Sequence, residues 1–279
     1  MSNDVSFERA PLIEIIAELR WLPVGAPPLL PGQVQLNLGG YDSDGFLMAF
    51  GRRPEIARFT NAEKLVPPGF PSVWHQVVWR YRDPTTPAAL LQVGPGIFSA
   101  HALQPYRRWS EFRPTVSKGV ASLLASRSSE EHSQPLTSLS LRYINAFTYE
   151  ITDGMTPRAF ARDVLKFKVD LPSALKKLCA LNVAPSIGIN LLIPVANTTK
   201  TMTVQVGDGN VRFPGAASDA PVVMLDMTVS ETTPTMPNIE DILTTFDRSR
   251  DVIHNAFLQM TASIQAKMGP RKEGANVTH

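Results

Sequence analysis

The sequence predicts an α+β protein made of two half-domains, each a mostly antiparallel sheet covered by a long helix. Alternation of apolar and polar residues, the period of half-buried strands, dominates the chain. Apolar residues at three-four spacing, the period of amphipathic helices, occupy one segment in the middle and one near the end. Since strands precede a long helix twice, we assign the halves to 1–150 and 151–279 and predict an internal structural duplication.

The first half opens with strands. In Leu12–Trp21 the odd-numbered residues are apolar, as in a strand; part of the segment also fits helical spacing, but its isoleucines favour the strand. The apolar runs 88–93 and 97–103 flank Gly94-Pro95-Gly96. Because proline followed by glycine suits a type II turn, the two runs predict a hairpin and not a phosphate-binding loop.

Three-four spacing from Tyr106 to Leu124 predicts the first long helix. A strand is predicted over Thr137–Tyr149, with its apolar side chains on one face. Asn145 interrupts that face. An unpaired buried amide costs about 1–3 kcal/mol, so Asn145 should either hydrogen-bond to a neighbouring loop or line a pocket.

The second half begins with three more alternating segments. Ser186–Ile193, Met202–Val206 and Val223–Val229 each place apolar residues on one face and predict strands. Asp208-Gly209 supplies the positive φ values of a tight turn, so we expect a hairpin at that dipeptide.

The last long helix is predicted from Asn238 to Met268. Asn238 can cap it, and Glu240 and Asp241 lie in its first turn, where acidic side chains interact favourably with the helix dipole. At ~1.5 Å per residue the helix would be about 45 Å long. That length would let it cover a whole sheet or mediate oligomerisation.

Composition excludes several classes of protein. Of the 279 residues, 43% are hydrophobic and 19% charged, and the net charge of +2 excludes a histone-like polycation. The single cysteine, Cys179, excludes an internal disulfide and a cysteine-rich metal site, and we expect a buried structural thiol there. No apolar run approaches the ~20 residues that span a bilayer, and the N-terminal residues lack the regions of a signal peptide. We therefore predict a cytoplasmic protein that has no membrane partner.

Motifs of the common enzyme classes do not occur in the sequence. It has no P-loop, no Gly-x-Gly-x-x-Gly and no Gly-x-Ser-x-Gly, and its five histidines lack metal-ligand spacing. We therefore predict no catalytic residue, no metal site and no cofactor, and we favour a protein that is not an enzyme.

Candidate binding residues are cations, aromatic rings and polar groups in unusual surroundings: Tyr106, Arg107, Arg108, Arg113, Arg142, Tyr143, Asn145 and Glu14. Cations beside aromatic rings near Trp109 occur in protein and nucleic-acid interfaces, although packing of Trp109 in the helix is the alternative. Glu14 shares a strand face with Glu18 and Arg20. These side chains would form either a cross-strand ion-pair ladder or a polar groove.

Charge is almost evenly distributed, since each half carries one more basic than acidic residue. Basic residues exceed acidic ones six to two between Arg158 and Lys177, which fits a solvated face or a polyanion contact. The basic residues of the first half are nearly all arginines, which favour planar, bidentate contacts.

Several segments in a fixed order resemble a known family: Phe7-x-x-Ala10-Pro11-Leu12-Ile13-Glu14, Leu91–Phe98, Tyr106-x-x-Trp109-x-x-Phe112, Leu141–Asn145, Leu225-Asp226 and Lys267-Met268-Gly269. Together they resemble a sporadically distributed family of uncharacterised bacterial proteins of about this length, over most of the chain. Leu12–Trp21 departs from the family by lacking its aromatic-rich second half. The resemblance implies no activity and no catalytic residues. The patchy distribution of this family is typical of genes on mobile or defence islands.

The leading functional hypothesis is a non-catalytic interaction protein, a component of a bacterial defence or toxin–antitoxin-like system, with a protein partner or self-association. The first alternative is a small-molecule binder with a START-like cavity between sheet and helix, where Arg142, Tyr143 and Asn145 supply the polar contacts. The second is a nucleic-acid-binding accessory protein that uses the arginine-rich first half. An enzyme of unspecified reaction ranks last.

Overall fold

The computed structural model describes residues 5–26, 36, 43–67, 70, 73–104, 108–178, 186, 188–213 and 215–271. Its strands are β1 (Ser6–Phe7), β2 (Leu12–Trp21), β3 (Asn61–Lys64), β4 (Trp79–Asp83), β5 (Thr86–Gly94), β6 (Ile97–Leu103), β7 (Leu136–Phe147), β8 (Gly188–Pro194), β9 (Lys200–Val211), β10 (Ala220–Glu231) and β11 (Pro270–Arg271). Its α-helices are α1 (Ser43–Gly51), α2 (Trp109–Ser126), α3 (Tyr149–Thr152), α4 (Pro157–Asp163), α5 (Ser173–Leu178), α6 (Ile239–Met260) and α7 (Gln265–Met268). Short 3-10 turns lie at Pro54–Ile56 and Ala262–Ile264.

Nine of the strands so described form one antiparallel sheet in the order β3-β4-β5-β6-β2-β7-β10-β9-β8. β1 and β11 pair separately. The α+β class and the mostly antiparallel sheet are confirmed. The two halves share this sheet, because β7 pairs with β2 on one side and with β10 on the other. The duplication of two half-domains is not confirmed and stays a prediction.

Each central strand divides its side chains between two faces. In β2 the side chains of Ile15, Leu19 and Trp21 are fully buried, whereas Glu14 and Glu18 point the other way. α2, α4 and α6 contact the face that carries the buried side chains. We call this covered face the inner face and the opposite one the outer face. The strand interpretation of Leu12–Trp21 is confirmed.

α2 and α6 cover the inner face and contact each other. α2 packs closely on β6, since a Cβ added to Gly119 would lie 2.5 Å from the ring of Phe98. α6 begins as expected, because Asn238 Oδ1 accepts hydrogen bonds from the N–H groups of Glu240 at 2.8 Å and Asp241 at 3.2 Å.

The long terminal helix is shorter than expected. α6 ends at Met260, where Thr261 leaves helical geometry and its hydroxyl donates to the carbonyl of Phe257. Its 22 residues span about 33 Å at the helical rise per residue. A 3-10 turn and α7 then carry the chain to Met268.

Of the two predicted hairpins, one forms and the other does not. The one at Gly94-Pro95-Gly96 is confirmed, since β5 and β6 pair and Gly96 has the φ of 80° that a type II turn needs. The hairpin at Asp208-Gly209 is wrong, because β9 continues through both residues and pairs Asp208 with Val223. A Cβ on Gly209 would lie 2.4 Å from Met224 Cγ, so this glycine serves close strand packing.

The strand expected over Thr137–Tyr149 forms, but it ends at Phe147. Tyr149 starts α3 and is 73% exposed, so its assignment to the apolar face is wrong. Among the described helices, none has the length and apolarity needed to cross a membrane.

Candidate functional site

The structure separates the predicted binding residues into three places. Tyr106 and Arg107 lie outside the described residues, as does Cys179. Of the others, Arg108 and Arg113 lie at the start of α2, Tyr143 and Asn145 on the inner face of β7, and Glu14 and Arg142 on the outer face. They therefore do not form a single site.

Arg113 forms an ion pair with another residue of the same chain. Its guanidinium donates to both carboxylate oxygens of Asp247 on α6, at 3.0 and 3.2 Å from Nε and 3.0 Å from Nη2. Trp109 Nε1 donates to the same carboxylate at 2.7 Å. The hydrogen bond with Asp247 raises the pKa of Arg113. These contacts join α2 to α6, and the buried Trp109 packs as its helical position indicated.

Tyr143 and Asn145 border a small cavity beneath α6. Asn145 is buried and its Nδ2 donates to the carbonyl of Leu225 at 3.2 Å, which satisfies the expectation of a partner. Burial raises the pKa of Tyr143. The cavity, which Phe7 and Phe257 also line, measures about 70 Å3. Sites for drug-sized ligands measure roughly 300–1,000 Å3.

Lys200 is a buried cation on the same inner face that the sequence did not single out. Its Nζ donates to the carbonyl of Thr245 at 3.1 Å and to Ser249 Oγ at 2.8 Å, both on α6. Burial lowers its pKa. Because two acceptors hold the amine, Lys200 anchors α6 to β9.

On the outer face, Glu14 belongs to a chain of three hydrogen-bonded side chains. Glu14 Oε1 lies 2.8 Å from His101 Nδ1, and Ser99 Oγ lies 2.9 Å from His101 Nε2. An acid, a histidine and a serine in this order are also the parts of a nucleophilic site. Ser99, however, is 3% exposed and lies between Gln92 and Glu18 on the adjacent strands. The chain therefore links β2 to β6 and leaves no room for a substrate at Ser99.

Arg142 of β7 forms an ion pair with Asp226 of the neighbouring strand β10. Its Nε lies 2.9 Å from both Asp226 oxygens, and Nη2 donates to Oδ2 as well. This hydrogen bonding raises the pKa of Arg142. Asp226 is thus the carboxylate partner of Arg142. His101, Asp226 and Asp247 were missed because their partners become neighbours only once the strand and helix order is known.

An open cavity of about 330 Å3 surrounds the Arg142 pair, lined by Ile16, Glu18, Ser140, Arg142, Thr203, Gln205, Asp226 and Thr228. Within the part of the outer face that the structure describes, the arginines are matched in number by carboxylates: Arg20, Arg80, Arg82 and Arg142 against Glu14, Glu18, Glu63 and Asp226. This face therefore lacks the positive excess with which proteins attract a phosphate backbone.

The basic segment between Arg158 and Lys177 begins in α4. Four of its basic side chains are exposed, as both a solvated face and a polyanion contact would require: Arg162, Lys166, Lys168 and Lys177. Arg162 pairs with its neighbour Asp163 at 2.7 Å, and Arg158 Nη2 lies 3.4 Å from the carbonyl of Val169. A cavity of about 150 Å3 lies beside them. Across the described ranges, no three His, Cys, Asp and Glu side chains are grouped as a metal site.

The two edges of the sheet differ in chemistry. β3 is four residues long, each of its residues is exposed, and its Glu63 pairs with Arg80 at 3.2 Å. β8 is seven residues long and has no charged side chain. Leu192 is 74% exposed on the outer face, and Ile193 is 42% exposed on the inner face. In the described part of the chain, no strand pairs with the edge of β8 that points away from β9.

Comparison with protein-family models, curated proteins and solved structures finds no match for this chain. Its function is therefore inferred from the faces and edges of the sheet. The β8 edge is the feature that sequence reasoning missed. The signal was present, because Gly188–Pro194 alternates without a single charged residue.

Proposed function

We propose that this is a non-catalytic interaction protein that binds another polypeptide by accepting a strand at the β8 edge. The observation that carries this proposal is the length and apolarity of β8 at a place where the described sheet ends. A strand at an edge presents unpaired N–H and C=O groups, which a further strand can satisfy.

The side chains of β8 suit such an addition. Natural edges are usually protected by lysine, by proline, by a bulge or by shortness, and β3 has two of these features. In β8 the one proline is Pro194, at the last position, so it leaves most of the strand free to pair. Leu192 and Ile193 lie on opposite faces, so an added strand would shield apolar surface on both sides.

We also propose that the two halves arose by duplication, and the order of elements supports this. Apart from α1 and β3 in the first repeat and α3 to α5 in the second, β2 is followed by β4, β5, β6 and α2, and β7 is followed by β8, β9, β10 and α6. These repeats divide the chain before β7 and not at residue 150, the boundary predicted from the sequence. In the sheet these groups run β4-β5-β6-β2 and β7-β10-β9-β8, as a two-fold axis between β2 and β7 would place them. β3 then covers β4, while the corresponding place beside β8 has no described strand.

The remaining elements of the proposal come from the sequence. The ordered segments from Phe7 to Gly269 support membership of the sporadically distributed bacterial family, and hence a role in a defence or toxin–antitoxin-like system. The single cysteine supports a cytoplasmic location. The START-like alternative is less well supported, because the cavity between sheet and helix is about 70 Å3 and Arg142 does not line it. Nucleic-acid binding is less well supported because the outer-face charges balance.

A photo-reactive amino acid placed at Leu192 tests the proposal in the living host cell. We expect a cross-link whose partner peptide, identified by mass spectrometry, maps to one extended segment. The matched control is the same amino acid at Met48 on α1, which is also apolar and 54% exposed but lies away from the edge. Equal cross-linking at both positions, or none at Leu192, would remove the proposal.

A further inference from the structure

We infer that the occupant of the β8 edge is a second copy of this chain, and that the two copies pair antiparallel about a two-fold axis through Leu191. This inference rests on the proposed function, because it names the partner of the same edge. It follows from the symmetry of antiparallel pairing, from the neutrality of β8 and from the one-sided placement of the helices.

Symmetry places the axis. Residues directly opposite each other in an antiparallel pair lie on the same face of the sheet. A two-fold axis perpendicular to the sheet must therefore pass through a residue and not between two residues. Leu191 is the central residue of Gly188–Pro194, so an axis there pairs all seven residues of both strands. An axis shifted by one residue would leave two residues of each strand unpaired.

This register matches the side chains on both faces. On the inner face, Ile189 lies opposite the partner subunit's Ile193, so two apolar side chains meet. On the outer face, Asn190 lies opposite the partner subunit's Leu192. The exposed surface of Leu192 and Ile193 is thereby reduced in both copies, which provides a hydrophobic driving force for pairing.

Neutrality permits a strand to pair with its own copy. Like charges directly opposite each other destabilise a strand pair, and a two-fold axis brings equivalent side chains together. β8 contains no charged residue, so no repulsion arises at any register. At the other edge, an axis at Glu63 would place two carboxylates opposite each other.

The placement of the helices on one face of the sheet is compatible with the pairing. A two-fold axis perpendicular to the sheet keeps the inner faces of both copies on the same side. Since α2, α4 and α6 all contact the inner face, the helical layers of the two copies would lie on one side of a continuous sheet. The two-layer architecture is thus preserved across the interface.

Sedimentation velocity of the purified full chain measures the association directly. We expect a dimer for the unaltered protein and for Met48→Lys, which adds the same charge at an exposed position away from the edge. Leu192→Lys should raise the dimer dissociation constant about 100-fold, because both copies lose the burial of a leucine. Circular dichroism checks that the variant is folded, as expected for a substitution at an exposed side chain.

A second substitution tests the axis. In the Leu191 register, Asn190→Glu combined with Leu192→Lys places each new carboxylate opposite a new ammonium of the other copy. We expect the double variant to regain the dimer at low salt and to lose it again at about 1 M salt, where exposed ion pairs are screened. If the double variant stays monomeric, the axis does not lie at Leu191.

The two proposals fail in different ways. A monomeric unaltered protein, together with a cross-link from Leu192 to a different polypeptide, would overturn the second-copy inference and leave the interaction function standing. A monomer with no cross-link at Leu192 would overturn both. A dimer that Leu192→Lys leaves intact would show that the copies meet elsewhere and would also overturn the inference.

Discussion

Asp83 is a fully buried carboxyl group whose partners come from its own turn and from Arg58. Burial alone would raise its pKa. The hydroxyl and N–H of Thr85, at 2.6 and 2.9 Å, and the guanidinium of Arg58, at 3.1 Å, together lower the pKa below its ordinary value of 3.8. Because folding lowers this pKa, unfolding in acid takes up a proton. This contribution to stability is present above about pH 4 and is lost as the pH falls further.

We therefore expect Asp83→Asn to lower the free energy of unfolding at pH 7 by about 1–3 kcal/mol and to make it depend less on pH below about 4. Urea unfolding at a series of pH values measures both effects. Asp219→Asn is the matched control, since Asp219 pairs with Arg212 at the surface. Equal pH dependence in the two variants would show that Asp83 does not govern acid stability.

Tyr81 produces the opposite pH dependence at the alkaline end. Burial raises the pKa of Tyr81 from 10.0 to about 12. Between these values the folded protein keeps a proton that the unfolded chain has lost, so the free energy of unfolding falls as the pH rises, by about 2 kcal/mol. Tyr81→Phe should reduce the fall seen in urea titrations by this amount, and the partly buried Tyr143, whose pKa is also raised, should account for a further fall. Tyr149→Phe, at an exposed side chain, should leave the whole fall unchanged, and an equal effect of both variants would contradict the prediction.

At the scale of elements, Asp247 is the contact that joins the two long helices. Asp247→Ala removes hydrogen bonds from Trp109 and Arg113. Since the side chains of Arg113 and Asp247 are partly exposed, solvent screens their charges, and we expect a loss of about 1–2 kcal/mol in the free energy of unfolding. Asp219→Ala should cost less than about 0.5 kcal/mol. Equal losses in chemical denaturation would show that the helix contact has no special weight.

Elements set by local pattern could be predicted from the sequence. The alternation of Leu12–Trp21, the turn at Pro95-Gly96 and the cap at Asn238 each depend on neighbours within a few residues. Asp208-Gly209 has the sequence of a tight turn, yet pairing with β10 over the full length of β9 outweighs that local preference. The end of α6 at Met260 was not predicted either, because the apolar spacing continues to Met268 through the 3-10 turn and α7.

The candidate site could be predicted only in part, because its contacts join distant segments. Glu14 belongs to a polar cluster, as its strand face suggested, whereas Arg142 was expected beside Tyr143 and Asn145 and instead lies on the outer face. Their partners His101 and Asp226 are 87 and 84 residues away in the chain. The edge position of β8 depends on the order of all nine strands. Composition shows that this strand is neutral, but it does not show that β8 is the last strand of the sheet among the described residues.

At the scale of the whole molecule, the two faces of the sheet differ in what covers them. Helices contact its inner face, while the described outer face carries paired charges and hydroxyl groups. Antiparallel sheets commonly expose one face to water in this way. The outer-face ion pairs therefore keep that face soluble, and the β8 edge remains the place where the described surface is both apolar and able to form backbone hydrogen bonds.

The charged edge at β3 limits how far any assembly can grow. If two copies join through β8, both ends of the combined sheet are β3 strands, and each end presents Glu63 and Lys64. Neither end offers a long neutral strand to a third copy. An assembly through β8 would then stop at two subunits. Raising the protein concentration should increase the fraction of dimer without producing filaments.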